Sequence, residues 1–303
     1  MPAALMLRRS RLPFRPLVLA LFGVVILMLV MAPGAFADAL TPESGGGSRN
    51  AEDIDTLYKI AFGLGILIFL LVEGVLIYVL INHRRKRGGP EPAQIRGNTT
   101  LEVGWTIGAA VLLVILGTVT FLYLGNIKNP APARAGGLNA QANQYAAIDQ
   151  ADPPGDPKRA LHIDVTGQQY LWRYTYPNGS YAFYDMVVPY DTTVVLNITS
   201  SDVDHSWWIP KLGGKADAIP RYNNHTWFQI TEHGHTNYGQ FTGASIFNGN
   251  CAELCGENHA EMRMRVIAVP VDQYQQWVTR QKQLITESQN ALTQQRKAMG
   301  THE

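Results

Sequence analysis

The stretch "NGNCAELCGENHAEM", Asn248 to Met262, holds both cysteines of the chain, Cys251 and Cys255, four residues apart. An imidazole, His259, and a thioether, Met262, follow closely. Four chemistries use parts of such a set. A disulfide between the thiols suits an oxidising compartment but leaves His259 and Met262 unexplained. Zinc takes thiolate and imidazole but has little use for a thioether. A single blue-copper site needs one cysteine, two histidines and a weak methionine, so one cysteine is in excess. In a two-copper site both thiolates bridge both metals, and each metal adds one imidazole and a weak axial ligand.

The last reading needs a second histidine from elsewhere. His162, His205, His225, His233 and His235 are the candidates in the part of the chain after residue 125. His205 leads, because it lies in "DVDHSWWIP", a short apolar run just after a strand. His233 and His235 lie in the polar loop "EHGHTNYG", and His225 follows "RYNN" at the start of a strand.

The elements that must position these groups fall in two parts. The chain has 303 residues and a net charge of +1, which implies no nucleic-acid partner. Two cysteines are too few for a disulfide framework. Three apolar runs crowd the first 125 residues. Residues 1–37 read as a cleaved secretory signal, with Arg8, Arg9, Arg11 and Arg15, an apolar run from Leu17 to Met31, and Ala35-Phe36-Ala37 as the cleavage site. Residues 38–56 form an acidic, Gly/Ser-rich outer segment.

Leu57–Ile81 and Val103–Gly125 are long enough to span a membrane, so residues 57–125 form a helical hairpin. Arg84, Arg85, Lys86, Arg87 and Arg96 between the spans keep that loop cytoplasmic. Everything after residue 125 is then outside, and both mature termini with it. Glu73 within the first span is costly against lipid, which points to packing against a larger membrane protein.

Residues 126–158 form a Pro/Gly/Ala/Asn-rich linker. In residues 159–270, "LHIDVTGQQYLWRYTYPNG", "YAFYDMVVP", "TTVVLNITS", "HTWFQITE" and "MRVIAVPV" are short β-rich runs between turn signals, as in an all-β sandwich or small barrel. Residues 271–303 are Gln-rich and helix-prone, and read as a C-terminal helix that frays into a polar tail.

"CAELCGENHAEM" resembles the C-x-E-x-C-x-x-x-H-x-x-M motif of the CuA domain in cytochrome c oxidase subunit II. "HSWWIPKLGGKADAIP" resembles the strand and loop that carry the first histidine of that family, and "LEVGWTI" its entry into the second helix. The resemblance covers about residues 50–280. It implies a cupredoxin-like sandwich behind a two-helix hairpin. It implies that Cys251 and Cys255 bridge two coppers, that His205 and His259 each bind one, and that Met262 is an axial ligand. The backbone carbonyl of Glu253 is the opposing weak ligand, and its carboxylate helps bind Mg²⁺ or Mn²⁺ at the interface with subunit I.

Glu102 matches the glutamate at the mouth of a proton pathway, although an acid at a helix N-terminus is also favoured by the helix dipole. Tyr170 and Trp172 stand where the family receives electrons. The implied function is electron transfer from cytochrome c to haem in subunit I, where O2 is reduced to water with proton translocation. Subunits I and III are the implied partners, in the bacterial plasma membrane.

Departures from the family pattern concern the donor-facing surface. Tyr170 replaces the usual Trp, "DAIPRYNN" lacks the usual Gly, and "HTNYGQFTGASIFNG" reads as an insertion. Arg173 stands where carboxylates are common, leaving Asp202 and Asp204 to guide a donor. A membrane-anchored or complex-bound cytochrome c is therefore expected. A membrane-tethered copper-delivery protein is the alternative class, but exchangeable delivery sites need neither a bridging pair nor a second histidine. A nitric-oxide-reducing partner is the third reading, which this chain alone does not exclude. A quinol-oxidase homologue is excluded by the intact ligand set. The chain carries no haem-attachment motif, so any haem belongs to a partner.

Overall fold

The computed structural model describes residues 47–84, 89, 91, 93–129 and 160–299. The signal sequence read in residues 1–37, nearly all of the linker and the basic residues Arg85, Lys86 and Arg87 lie outside the described residues.

Two long helices come first, α1 (Arg49–Asn82) and α2 (Thr99–Lys128). Their apolar windows have mean hydropathies of 2.8 and 2.4. At about 1.5 Å per residue both exceed the roughly 30 Å of a bilayer's hydrocarbon core. They pack side by side, and the half-buried apolar residues of α2 (Leu112, Leu116, Val119, Tyr123 and Ile127) are spaced by the helical repeat. Most of their other apolar side chains face outward, as lipid or neighbouring helices require. α1 begins at Arg49, eight residues before the apolar run at Leu57. Its polar first turns pack on protein, so hydropathy alone could not include them.

The β-domain follows. One sheet runs β3-β2-β1-β5-β8, built from β1 (Leu161–Gln168), β2 (Leu171–Thr175), β3 (Tyr181–Phe183), β5 (Thr193–Ser200) and β8 (Asn224–Gln229). The second runs β4-β11-β10-β9, from β4 (Asp185–Pro189), β9 (Thr236–Tyr238), β10 (Phe241–Asn250) and β11 (Arg263–Val269). β6 (His205–Trp207) and β7 (Ala216–Ala218) form a small ribbon. β1 and β5 are parallel, as are β4 and β11. This is a cupredoxin-like sandwich.

Period-two patterning builds it. In β1, Leu161, Ile163 and Val165 face inward and Asp164 faces out. The core joins Ile163, Val165, Trp172, Leu196 and Ile198 of the first sheet to Met186, Val188, Phe247, Met264 and Val266 of the second. Across the β4–β11 pair, Arg265 grips Asp185 through two hydrogen bonds (2.7 and 3.2 Å) and lies between the rings of Tyr184 and Tyr238.

The five β-rich runs of the sequence all form strands. "HTNYGQFTGASIFNG" is no appendage: it forms β9 and most of β10, and β10 pairs with β11 from Ser245↔Ala268 to Asn250↔Arg263. Its glycines and small polar residues hide the alternation. α3 (Val271–Ala298) opens after Pro270 and stays helical for 28 residues, further than a fraying tail implies. Tyr274 and Trp277 dock its first turns against Tyr176.

Candidate metal centre

β10 delivers Cys251, and the loop that returns to β11 carries Cys255, His259 and Met262. The amide of Cys251 donates to the Met262 carbonyl (2.9 Å), closing the loop at its base. The amides of Asn250 and Ala252 donate to the carbonyls of Trp208 (3.2 Å) and Ser206 (2.9 Å), which fastens the loop to the segment holding His205. The small, polar β10 thus brings a sequence-local ligand cluster against a histidine 46 residues away.

The thiols are free and their sulfurs lie 4.0 Å apart, so no disulfide joins them. His205 Nδ1 is 3.9 Å from Cys251 Sγ, and His259 Nδ1 is 3.5 Å from Cys255 Sγ. The Glu253 carbonyl oxygen is 3.3 Å from Cys251 Sγ, and Met262 Sδ is 3.8 Å from Cys255 Sγ. Each thiol therefore has its own imidazole and its own weak donor. One metal would leave part of this set unused, whereas two bridged metals use all of it. The donor chemistry, soft sulfur with imidazole and a thioether, fits copper. His205, Cys251, Cys255 and Met262 are all buried, while His259 is half-buried at the rim.

Groups around the site orient it. His205 Nε2 lies 2.8 Å from Asp202 Oδ1. An ionised carboxylate only accepts, so Nε2 carries a proton, and in the neutral ring Nδ1 keeps its lone pair toward the thiols. Asp202 Oδ2 also accepts the Gln169 amide (2.7 Å), and Gln169 Nε2 donates to the Cys255 carbonyl (2.6 Å). The Tyr170 hydroxyl accepts the Glu257 amide (3.1 Å). Gly256 sits between these contacts at φ +129, where a Cβ would come within 2.7 Å of Tyr170 Oη. The ring of Trp172 meets His205 edge-on, with 5.9 Å between ring centres.

Burial pushes the Asp202 carboxyl up, but the Gln169 amide, the His205 ring and the Val203 amide bring it down to about 2. Burial also raises the Cys251 thiol, yet the His205 ring and the backbone of Ser206 and Glu253 bring it down to about 6. Cys255 moves up to about 11, by burial and then by the charge of Cys251. For His205, burial lowers the value and is outweighed by Cys251 and Asp202, so the net direction is up. The His205 ring thus favours ionisation of Cys251 first, and the charge of Cys251 then holds the proton on Cys255.

The structure brings together His205, Cys251, the Glu253 carbonyl, Cys255, His259 and Met262. It sets the other histidines apart. His225 bonds Asn197 (2.9 Å), His233 stacks on Tyr190 and bonds Asp191 (2.7 Å), His235 is exposed in its loop, and His162 sits on β1. The Glu253 residue is exposed. Tyr170 is half-buried, whereas Trp172 is fully buried and can only lie behind a surface contact. Glu102 lies at the start of α2, roughly 38 Å along that helix from Ile127 at 1.5 Å per residue.

Two roles escaped the sequence reading. Asp202 read as a free steering acid; it is instead tied to His205 and Gln169, and its position three residues before the histidine was the available signal. Gln169 and Gly256 hold the ligand loop, and no local pattern marks a contact 86 residues long.

Two apolar helices long enough to cross a membrane, joined to a cupredoxin-like sandwich with a buried sulfur–imidazole cluster, fit a membrane-attached protein whose donor set suits copper. The chain matches the family models described as "Cytochrome C oxidase subunit II, transmembrane domain" over residues 36–122 and "Cytochrome C oxidase subunit II, periplasmic domain" over residues 183–269. It is 30% identical over 292 residues to cytochrome c oxidase subunit 2 of Thermostichus vulcanus, covering 87% of this chain and 84% of that one. It is 34% identical over 233 residues to that of Alkalihalophilus pseudofirmus, covering 76% of this chain and 58% of that one. The chain thus spans under two thirds of the second relative's length.

Among solved structures, the periplasmic domain of subunit II of cytochrome oxidase from Bradyrhizobium japonicum aligns at 29% identity, over 45% of this chain and 97% of that chain, with a TM-score of 0.37. This chain belongs to the cytochrome c oxidase subunit II family.

Proposed function

We propose that this chain carries the electron-accepting dinuclear copper centre of a respiratory terminal oxidase. It receives electrons from cytochrome c and delivers them to haem in subunit I, where O2 is reduced to water and protons are translocated. The observation that carries this reading is the pairing of two unbridged thiols 4.0 Å apart, each with its own imidazole and its own weak donor. His205 and His259 would hold one copper each, Cys251 and Cys255 both, with Met262 and the Glu253 carbonyl as weak ligands. When bound, such a pair supplies reversible one-electron chemistry.

The chain's own residues do the rest. Cys251, Cys255, Met262 and His205 exclude water from the site, which is buried at all four. Asp202 holds the His205 ring in one tautomer, and the β-scaffold fixes the ligand loop. Tyr170 is the surface point of electron uptake, with buried Trp172 between the surface and His205. The Glu253 carboxylate shares Mg²⁺ or Mn²⁺ with subunit I, and Glu102 opens a proton pathway on the opposite side of the membrane. The basic loop between α1 and α2 is cytoplasmic, so the β-domain and both mature termini face outward from a bacterial plasma membrane. Subunit III completes the complex.

Stopped-flow mixing of the purified complex with reduced cytochrome c tests this reading. The copper absorbance should bleach before haem is reduced, and Cys251→Ser or Cys255→Ser should abolish the band. Haem reduction at wild-type rate in both serine variants would defeat the proposal.

A further inference from the structure

The N-terminus of α1 does not simply emerge beside the β-domain; it binds it. Ser48 is the N-cap of α1, a place where a serine hydroxyl ordinarily caps the helix's own free amides. Here the hydroxyl makes no cap bond. It accepts the Gln229 amide (3.0 Å) and donates to Asn50 Oδ1 (2.6 Å). Asn50 Nδ2 donates to the Trp227 carbonyl (2.7 Å). Gln229 and Trp227 lie on β8, which among the described residues is the edge strand of the five-stranded sheet and presents its outward side to α1 instead of to a further strand. Two helix side chains therefore stand in for a missing strand.

The same Trp227 reaches the other helix. Its Nε1–H donates to the Ile127 carbonyl (2.8 Å), one of the carbonyls a helix C-terminus leaves without an internal partner. The indole is 1% exposed and packs with Ala160 and Val195. One residue thus holds α1 by its backbone and α2 by its ring. The loop after β6 closes the arrangement: Gly213, at φ +142, lies so near Asn50 that a Cβ would meet Asn50 Nδ2 at 2.7 Å. That loop begins only two residues after the strand of His205. Ser48 and Asn50 are 4% and 2% exposed, so the contact is dry as well as bonded.

We propose that Asn50 and Trp227 are positioning residues: they clamp the metal-bearing β-domain onto the outward ends of both membrane helices and fix its orientation toward the membrane partner that takes its electrons. The clamp rests on the function proposed above for its consequence, but not for its existence. It touches no ligand of the cluster, so its loss should leave the copper site intact and impair only delivery.

The test uses the whole oxidase carrying Trp227→Phe, which removes the N–H and keeps the ring, or Asn50→Ala. Copper content, the copper spectrum and reduction by cytochrome c should match wild type. Electron arrival at the partner's haem after flash reduction of copper should slow about tenfold, within the roughly 10²-fold that a 1 Å misplacement can cost. Hydrogen exchange in a peptide spanning residues 224–229 should rise while β1 and β11 keep wild-type protection. Wild-type haem reduction in both variants overturns the positioning role, and loss of copper shows the contact to be structural for the site and overturns it equally. Unchanged exchange at 224–229 overturns the clamp itself, and this arm decides even if the wild-type complex proves to hold no copper and the functional reading falls.

Discussion

Gly256→Ala should loosen the ligand loop without removing any ligand. Gly256 lies beside Cys255 at φ +129, a region that costs a residue with a Cβ about 1–3 kcal/mol. The new methyl would come 2.7 Å from Tyr170 Oη and 2.8 Å from Gln169 Nε2. It therefore displaces the bonds from Gln169 Nε2 to the Cys255 carbonyl and from the Glu257 amide to Tyr170, each about 1 kcal/mol. The sum is about 3–5 kcal/mol, a large share of the roughly 5–15 kcal/mol that holds a domain folded. At about 4 °C per kcal/mol the loss is about 12–20 °C. Tyr170→Phe removes one of the two bonds and no backbone comfort, so it should cost about 1 kcal/mol. The assay is the temperature at which the copper-loaded full chain loses its visible copper band. A Gly256→Ala protein that melts with wild type, or a Tyr170→Phe protein that melts below Gly256→Ala, would contradict this picture of the loop.

Three further outcomes follow from the same geometry. Glu253→Gln should retain copper, because the carbonyl and not the carboxylate faces Cys251, but should lower Mn²⁺ occupancy in the purified complex, since a hard cation needs a charged oxygen; unchanged occupancy would place the carboxylate elsewhere. Glu102→Gln should keep α2 intact, because a Gln carbonyl can still accept the Asn98 amide that Glu102 Oε1 accepts at 3.2 Å, yet proton uptake during reduction should slow; equal turnover at several pH values would leave Glu102 only its capping role. Turnover with a soluble basic cytochrome c should depend weakly on salt, because Asp202 is engaged with His205 and Arg173 is exposed near the uptake point. Fast turnover at low salt that collapses as the Debye length falls to about 8 Å would show ordinary acidic capture and defeat the expectation of a tethered donor.

What could be read from the chain tracks how local each signal is. Cys251, Cys255, His259 and Met262 sit within one loop, and their types and spacing single them out before any fold is known, although a disulfide stays open until the thiols are seen to be free. His205 was harder, since four other histidines compete; what separates it is the burial of "HSWWIP", visible as an apolar run. β1 was legible from its regular alternation and β5 from its continuous apolar run. β10 was not, because "FTGASIFNGN" mixes glycine and small polar residues on both faces, and its strand state is imposed by pairing with β11. The start of α1 was missed for the opposite reason: "RNAEDID" is polar where it meets the β-domain instead of lipid. Asn50 and Trp227 are 177 residues apart, and no local pattern encodes that contact.

The central claim is that two metals share two thiolates. Electron paramagnetic resonance of the oxidised, copper-loaded full-length complex tests it most directly. The spectrum should show one unpaired electron split by two equivalent copper nuclei, with two coppers per chain by metal analysis. A hyperfine pattern from a single copper nucleus would contradict it.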